Sequence, residues 1–159
     1  MITRDRLLEL LTYDPETGIF TWRVSQGRVK LGDVAGGFDD KGYVRIRLDG
    51  KKYKAHRLAW LAVHGLWPKQ LDHKDMCKSN NTTCNLRLAT DIQNNANKNK
   101  QSNNTSGYRG VHYFRPRKKW RAVIHKNKKQ ILLGDFDDPA VAAAVYQRAA
   151  QYTFGEFFR

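Results

Sequence analysis

The chain has 159 residues, with 29 Lys or Arg against 15 Asp or Glu, a formal net charge of +14 and a pI of about 10.0. Such a surplus spreads positive potential over much of the surface, so an anionic polymer is the expected partner. The 40% of hydrophobic residues, with 7 Phe, 7 Tyr and 4 Trp, exclude disorder throughout but supply small cores rather than one large one.

Nucleic acid is favoured over a membrane because the basic residues sit among strand-like alternations and aromatics, not along one apolar helix. No apolar run reaches spanning length and no secretory signal follows Met1, so a cytoplasmic location without membrane association is expected. Cys77 and Cys84, the only 2 cysteines, are too few for a disulfide scaffold and too far apart for a CxxC pair, which argues against a thiolate zinc.

In chain order, Thr3 can cap a helix over 4–11 whose leucines form an apolar face. Residues 13–18 contain Asp14-Pro15 and Gly18 and read as a turn, with a strand over 19–22 after it. Gly32, Gly36 and Gly37 mark a loop. Residues 43–48 alternate apolar with basic, Asp49-Gly50 gives a tight turn and 51–55 return, making a hairpin with one oily and one basic face. Helical spacing resumes over 56–64 and stops at Gly65, with Pro68 beyond.

Residues 96–106 are mostly Asn, Lys, Ser and Gln and read as an exposed, flexible linker. The expected organisation is therefore 1–95, linker 96–106, and 107–159, with +7 of charge on either side of residue 100. In the last part three short strands with two turns precede an Ala-rich helix, which Asp138 can cap and Pro139 can open. Nine Lys or Arg and no acidic residue lie between Arg109 and Lys129, which puts the positive face on the sheet.

The informative stretch is Leu71-Asp72-His73, a polar loop to Asn85-Leu86-Arg87, and then Asp91-Ile92-Gln93-Asn94-Asn95 on a polar helix. Each Asn taken singly suits a turn or a cap, but the steps of 12 from His73 to Asn85 and 9 from Asn85 to Asn94 form a joint pattern. Together with Ala55-His56-Arg57-Leu58-Ala59-Trp60 upstream, it resembles the HNH motif of phage-encoded homing endonucleases, in the subgroup whose last His is Asn. Asp75-Met76 replaces the usual Asn-Gly turn. The resemblance implies a ββα-metal nuclease with His73 and Asn85 as catalytic positions, His73 as general base and Asn85 tying the loop that aims it. It further implies Asp72 and Asn94, or Asn95 beside it, as ligands of Mg2+ or Mn2+. Those residue types suit phosphodiester hydrolysis, which needs a base near neutral pKa and hard oxygen donors for a divalent cation. Arg87 is a candidate phosphate contact; His56 suits a phosphate contact, a cap or a core position.

The C-terminal stretch, with Tyr108-Arg109-Gly110-Val111, Trp120, Leu133-Gly134-Asp135-Phe136 and the Ala-rich helix carrying Tyr146, is similar to the plant ethylene-response-factor (APETALA-two type) DNA-binding domain. That implies a βββα fold whose sheet enters the major groove. His112, Phe114 and His125 stand where the plant domain has Arg, so its target does not carry over. Phosphate contacts are expected from Arg115, Arg117, Lys118 and Lys119 and base contacts from Arg109 and Arg121, with Trp120 either reader or core. The expected fold class is α+β: a ββα-metal module with an N-terminal β-rich extension, plus a small three-stranded antiparallel sheet packed on one helix. The expected activity is metal-dependent, site-specific nicking of double-stranded DNA by a monomer with no small-molecule cofactor. The rival readings are a DNA-binding regulator with an inactive finger and an RNA-binding protein.

Overall fold

The computed structural model describes residues 1–97, 104–127 and 129–158. Contacts divide the chain into two compact units, Met1–Ala89 and Thr90–Arg159, each built of short helices and small antiparallel sheets.

In the first unit, Thr3 caps α1 (Arg4–Leu10) by accepting from the Arg6 amide. The helix stops one residue short of the expected end because Leu11 extends and pairs with Trp22. This creates β1 (Leu11–Tyr13) against β2 (Phe20–Trp22). Local spacing misses β1 because its leucine continues the helical run, and only the distant partner decides its conformation. Between the two strands the expected turn is present: the Asp14 carboxylate accepts from the Glu16 amide and the Thr17 hydroxyl.

A three-stranded sheet follows, with β3 (Gly37–Phe38), β4 (Val44–Leu48) and β5 (Lys51–Lys54) in that order. β3 lies where only a loop was expected; two residues with one glycine give no alternation to read. Along β4 and β5, Arg45 faces Lys54 and Arg47 faces Lys52, while Ile46 and Leu48 point into the core. α2 (Ala55–His64) ends at Gly65, whose φ of 74° closes the helix in the left-handed region. The last pair is β6 (Leu71–His73) and β7 (Leu86–Leu88).

One core joins these pieces. Leu7, Leu11, Ile46, Leu48, Leu58 and Leu61 are its largest fully buried side chains, and Phe20 and Leu86 belong to the same cluster. Each such side chain contributes about 1.5–3 kcal/mol relative to exposure. Core residues thus run from Ile2 to Leu86.

The second unit begins with α3 (Asp91–Ala96), opened by a reciprocal cap between Thr90 and Gln93. By its contacts α3 groups with the C-terminal helix, although its residues were assigned to the nuclease part of the sequence. Ala96, expected in the linker, is the buried last residue of α3; most of the rest of that linker, 98–103, lies outside the described residues. β8 (Val111–Phe114), β9 (Lys119–Lys126) and β10 (Lys129–Phe136) form an antiparallel sheet in the order β10-β9-β8, and α4 (Pro139–Phe154) covers one face. Asp138 caps α4 through the Ala140 amide. Val111, Ala122, Ile124, Ala142, Tyr146 and Ala150 make the core. Gly110, at φ 70°, lies against the Tyr146 ring where any Cβ would collide, which explains the glycine of the Tyr-Arg-Gly-Val run. The mixed α+β class is as expected.

Among the described residues, no helix is long and apolar enough to cross a membrane.

Candidate active site

All three residues of β6 are buried. Two of them bring polar chemistry inside, so each needs a partner. Asp72 faces Arg87 across the β6–β7 register, and its Oδ2 accepts from Arg87 Nε at 3.0 Å and Nη2 at 2.9 Å. The side chains are only 6% and 10% exposed, so this is an ion pair largely withdrawn from water. Arg87, the candidate phosphate contact, thus makes its fork of hydrogen bonds to Asp72.

His73 ends β6, and its Nε2 lies 3.3 Å from the Asn81 side-chain oxygen. If Nε2 donates, the neutral ring carries its basic lone pair on Nδ1. Burial lowers the His73 pKa from the ordinary imidazole value, while the Asn81 hydrogen bond and the nearby Asp75 and Asp72 carboxylates oppose that shift. Asn85 sits under the intervening loop. Its amide nitrogen donates to Asp75 Oδ1 at 2.9 Å and the Asn80 carbonyl at 2.8 Å, and its oxygen accepts from the Asp75 amide at 3.0 Å. Burial alone would raise Asp75, but hydrogen bonds from the Asn80 and Asn85 side chains hold its carboxyl below the usual range.

The loop is also braced from the N-terminal turn. Tyr13 Oη donates to the Asn81 carbonyl at 2.8 Å, and the Thr83 amide donates to the Pro15 carbonyl at 3.0 Å. Gly18, at φ 73°, comes so close that a Cβ would lie 2.5 Å from the Thr82 nitrogen. Nothing in the composition of 13–18 announces this contact, because a turn looks the same whatever it packs against.

His56 lies in the first turn of α2, 7% exposed and edge-on to His73 with ring centroids 4.9 Å apart. Its Nδ1 is buried without a hydrogen-bond partner among the described residues. Burial, then the neighbouring His73, Lys54 and Arg57, push its pKa down to about 3, so it is a neutral wall to the site. Tyr43 completes the group at 5.4 Å from His56 and 6.1 Å from His73, with Lys54 Nζ 3.9 Å above its ring. Arg57, beside His56, donates to the Pro68 carbonyl.

Asn94 and Asn95 both lie on α3, Asn94 half-buried and Asn95 exposed. Among the described residues no three His, Cys, Asp or Glu side chains converge. The Asp72 carboxylate, fixed by Arg87, is the hard oxygen donor of this part of the site. A donor of this kind suits a divalent cation that keeps several waters.

In the second unit, Arg115, Arg117 and Lys118 are exposed. Arg117 and Arg121 bond Asp135, and Lys119 bonds Asp137. Arg109 donates to the Asn95 carbonyl at 2.8 Å and covers the Phe158 ring. Trp120 packs against the core and meets Tyr113 edge-on at 5.2 Å.

Residues 53–96, which run from β5 through α3, match the family model described as HNH endonuclease. The chain therefore carries an HNH endonuclease domain, a hydrolase of phosphodiester bonds. It is 34% identical to Protein 3.8 of Escherichia phage T7 over 112 residues, 67% of this chain and 92% of that one. It is also 34% identical over 115 residues to "Uncharacterized HNH endonuclease L560" of Acanthamoeba polyphaga mimivirus, covering 70% of this chain but only 59% of that protein. A solved structure, "DNA binding and cleavage by the HNH homing endonuclease I-HmuI", is 28% identical with a TM-score of 0.39, over 51% of this chain and 47% of that one.

Proposed function

We propose that the chain is a site-specific, homing-type endonuclease that nicks double-stranded DNA as a monomer, with His73 as general base. The observation that carries this reading is the pairing of a buried, neutral imidazole at the end of β6 with a carboxylate one residue before it, inside the segment that matches the family.

His73 takes the proton of the attacking water. The new bond forms between the water oxygen and phosphorus, and the bond to the 3′ oxygen breaks. A bound Mg2+ or Mn2+ would neutralise charge on a nonbridging oxygen and on the departing one. Asp72 is the residue of the first unit that would hold it. Arg87 holds Asp72 in aim, Asn81 orients His73, and Asn85 sets the loop from which Asn81 projects. Lys54, above Tyr43, adds positive charge beside the imidazoles.

The C-terminal unit serves as the reader, with an ethylene-response-factor-type sheet facing duplex DNA. Arg115, Arg117, Lys118 and Lys119 contribute salt-dependent phosphate affinity and Arg121 contributes choice of site. A tethered reader raises the local concentration of a small catalytic module at its target.

The test is incubation of the protein with supercoiled plasmid and phage genomic DNA in Mg2+, Mn2+ or EDTA, beside a His73→Ala variant. Metal-dependent conversion to open circle that His73→Ala abolishes is expected. Binding without cleavage by both proteins under every metal would replace this reading with that of a DNA-binding regulator.

A further inference from the structure

On the face of the β8–β9–β10 sheet away from α4, one arginine is held unlike its neighbours. Arg121 lies mid-sheet, opposite His112 of β8 and Asp135 of β10. Its Nε donates to Asp135 Oδ1 at 2.6 Å and its Nη2 to Oδ2 at 2.8 Å. Its guanidinium carbon sits 3.4 Å from the centroid of the Phe114 ring. Arg117 adds a bond to the same carboxylate, Nη1 to Oδ2 at 3.1 Å. The Asp135 side chain is 8% exposed and that of Arg121 19%, whereas that of Arg117 is 67% exposed.

Two contacts of different kind fix the plane of this guanidinium. The carboxylate grips the Nε–Nη2 edge in fork geometry, and the phenyl ring covers one face. Nη1 has no partner among the described residues. It shares the outer edge with the second hydrogen of Nη2. Two parallel N–H donors on one edge are the pattern that O6 and N7 of guanine accept in the major groove. A loose arginine must lose rotamer freedom to make that contact, whereas this one is already ordered.

The charge sign also matters. A carboxylate on a surface that only gathers phosphates weakens it; one that orients a reader exchanges gross affinity for choice. We propose that Asp135 is a specificity-determining residue, positioning Arg121 to recognise one guanine of a duplex DNA site. This rests on the reading of the C-terminal unit as a DNA reader.

The experiment is selection from a randomised duplex library by the full chain in EDTA, which prevents cleavage, with affinity for an unselected duplex measured in parallel. The variants are Asp135→Ala, Asp135→Asn, Arg121→Ala and Arg121→Met, the last keeping a side chain over Phe114; thermal melting verifies the fold of each. A charge reversal, Arg115→Glu with Lys118→Glu, tests the underlying reading. Wild type is expected to select a motif containing a guanine whose preference drops about tenfold in Asp135→Ala, less in Asp135→Asn, and at the same position in both Arg121 variants. Affinity of Asp135→Ala for the unselected duplex stays equal or tightens. An unchanged motif in Asp135→Ala, or loss at a position different from that lost with Arg121, overturns the proposal while leaving the reader intact. If the charge reversal binds and selects as wild type does, the reader itself fails.

Discussion

The Tyr13 phenol donates to the main-chain carbonyl of Asn81, 68 residues further along the chain, while the Asn81 side chain meets His73. A turn at the start of the chain is thus one hydrogen bond from the residue that orients the proposed base. Tyr13→Phe removes that bond together with a contact to Thr83 and is expected to cost about 1 kcal/mol of stability. It should slow nicking several-fold while DNA affinity stays constant. Gly18→Ala acts on the same loop more severely, since its methyl needs the space of the Asn81 and Thr82 backbone. Single-turnover nicking with gel-shift controls separates the two effects.

Asn81→Ala removes the partner of His73 Nε2. A loss of roughly 10- to 100-fold in the nicking rate is expected, below the roughly 100- to 10,000-fold that a general base itself contributes because the base remains, with little change in DNA binding. Asn81→Asp should restore part of the rate by accepting from Nε2. Failure of both variants to alter the rate would remove Asn81 from the site.

The Asp72–Arg87 pair makes an asymmetric prediction. Arg87→Met leaves a carboxylate buried without its charge partner, which typically costs 3–5 kcal/mol, and chemical denaturation should read a loss of that order. The double variant Asp72→Leu with Arg87→Met is expected to recover most of that stability and none of the activity. A double variant as unstable as the single one would show that the pair is not the cause.

His56 sets a pH dependence. Its folded pKa of about 3 lies below the ordinary 6.5, so between these values the unfolded chain binds a proton that the folded chain refuses. Stability therefore falls as pH drops below 6.5, by up to about 1.4 kcal/mol per unit from this group. His73, also lowered by burial, adds in the same direction. His56→Gln should flatten the stability profile between about pH 6.5 and 4.5, before the lowered carboxylates Asp39 and Asp75 begin to protonate. An unchanged slope in urea melts across that window would contradict the assignment.

Much of this was legible in the sequence because it is local or periodic. The cap at Thr3, the hairpin across Asp49-Gly50, the stop at Gly65 and the βββα order after Gly107 each follow from neighbours a few residues apart. The spacing of His73, Asn85 and Asn94 was legible for a similar reason, since it repeats a known pattern. What escaped depends on distant partners. Leu11 leaves its helix because Trp22 is available, and Asn81 is one asparagine among several until Tyr13 and His73 give it two jobs. Arg87 looks like a surface cation until the β6–β7 register sets it against Asp72. His56 is ambiguous in one dimension and becomes a neighbour of His73 only once α2 is packed.

The membership of the first core bears on how portable the endonuclease signature is. The recognisable segment, 53–96, keeps Leu58, Leu61 and Leu86 but not Leu7, Leu11, Phe20, Ile46 and Leu48, which fill the same interior. Cut out or grafted elsewhere, it would carry the proposed catalytic side chains and leave behind the walls that hold them. Gene fusions or truncations that preserve only the signature should therefore yield chains that carry the nuclease motif and do not fold as one; the unit that folds is the whole of the first 89 residues.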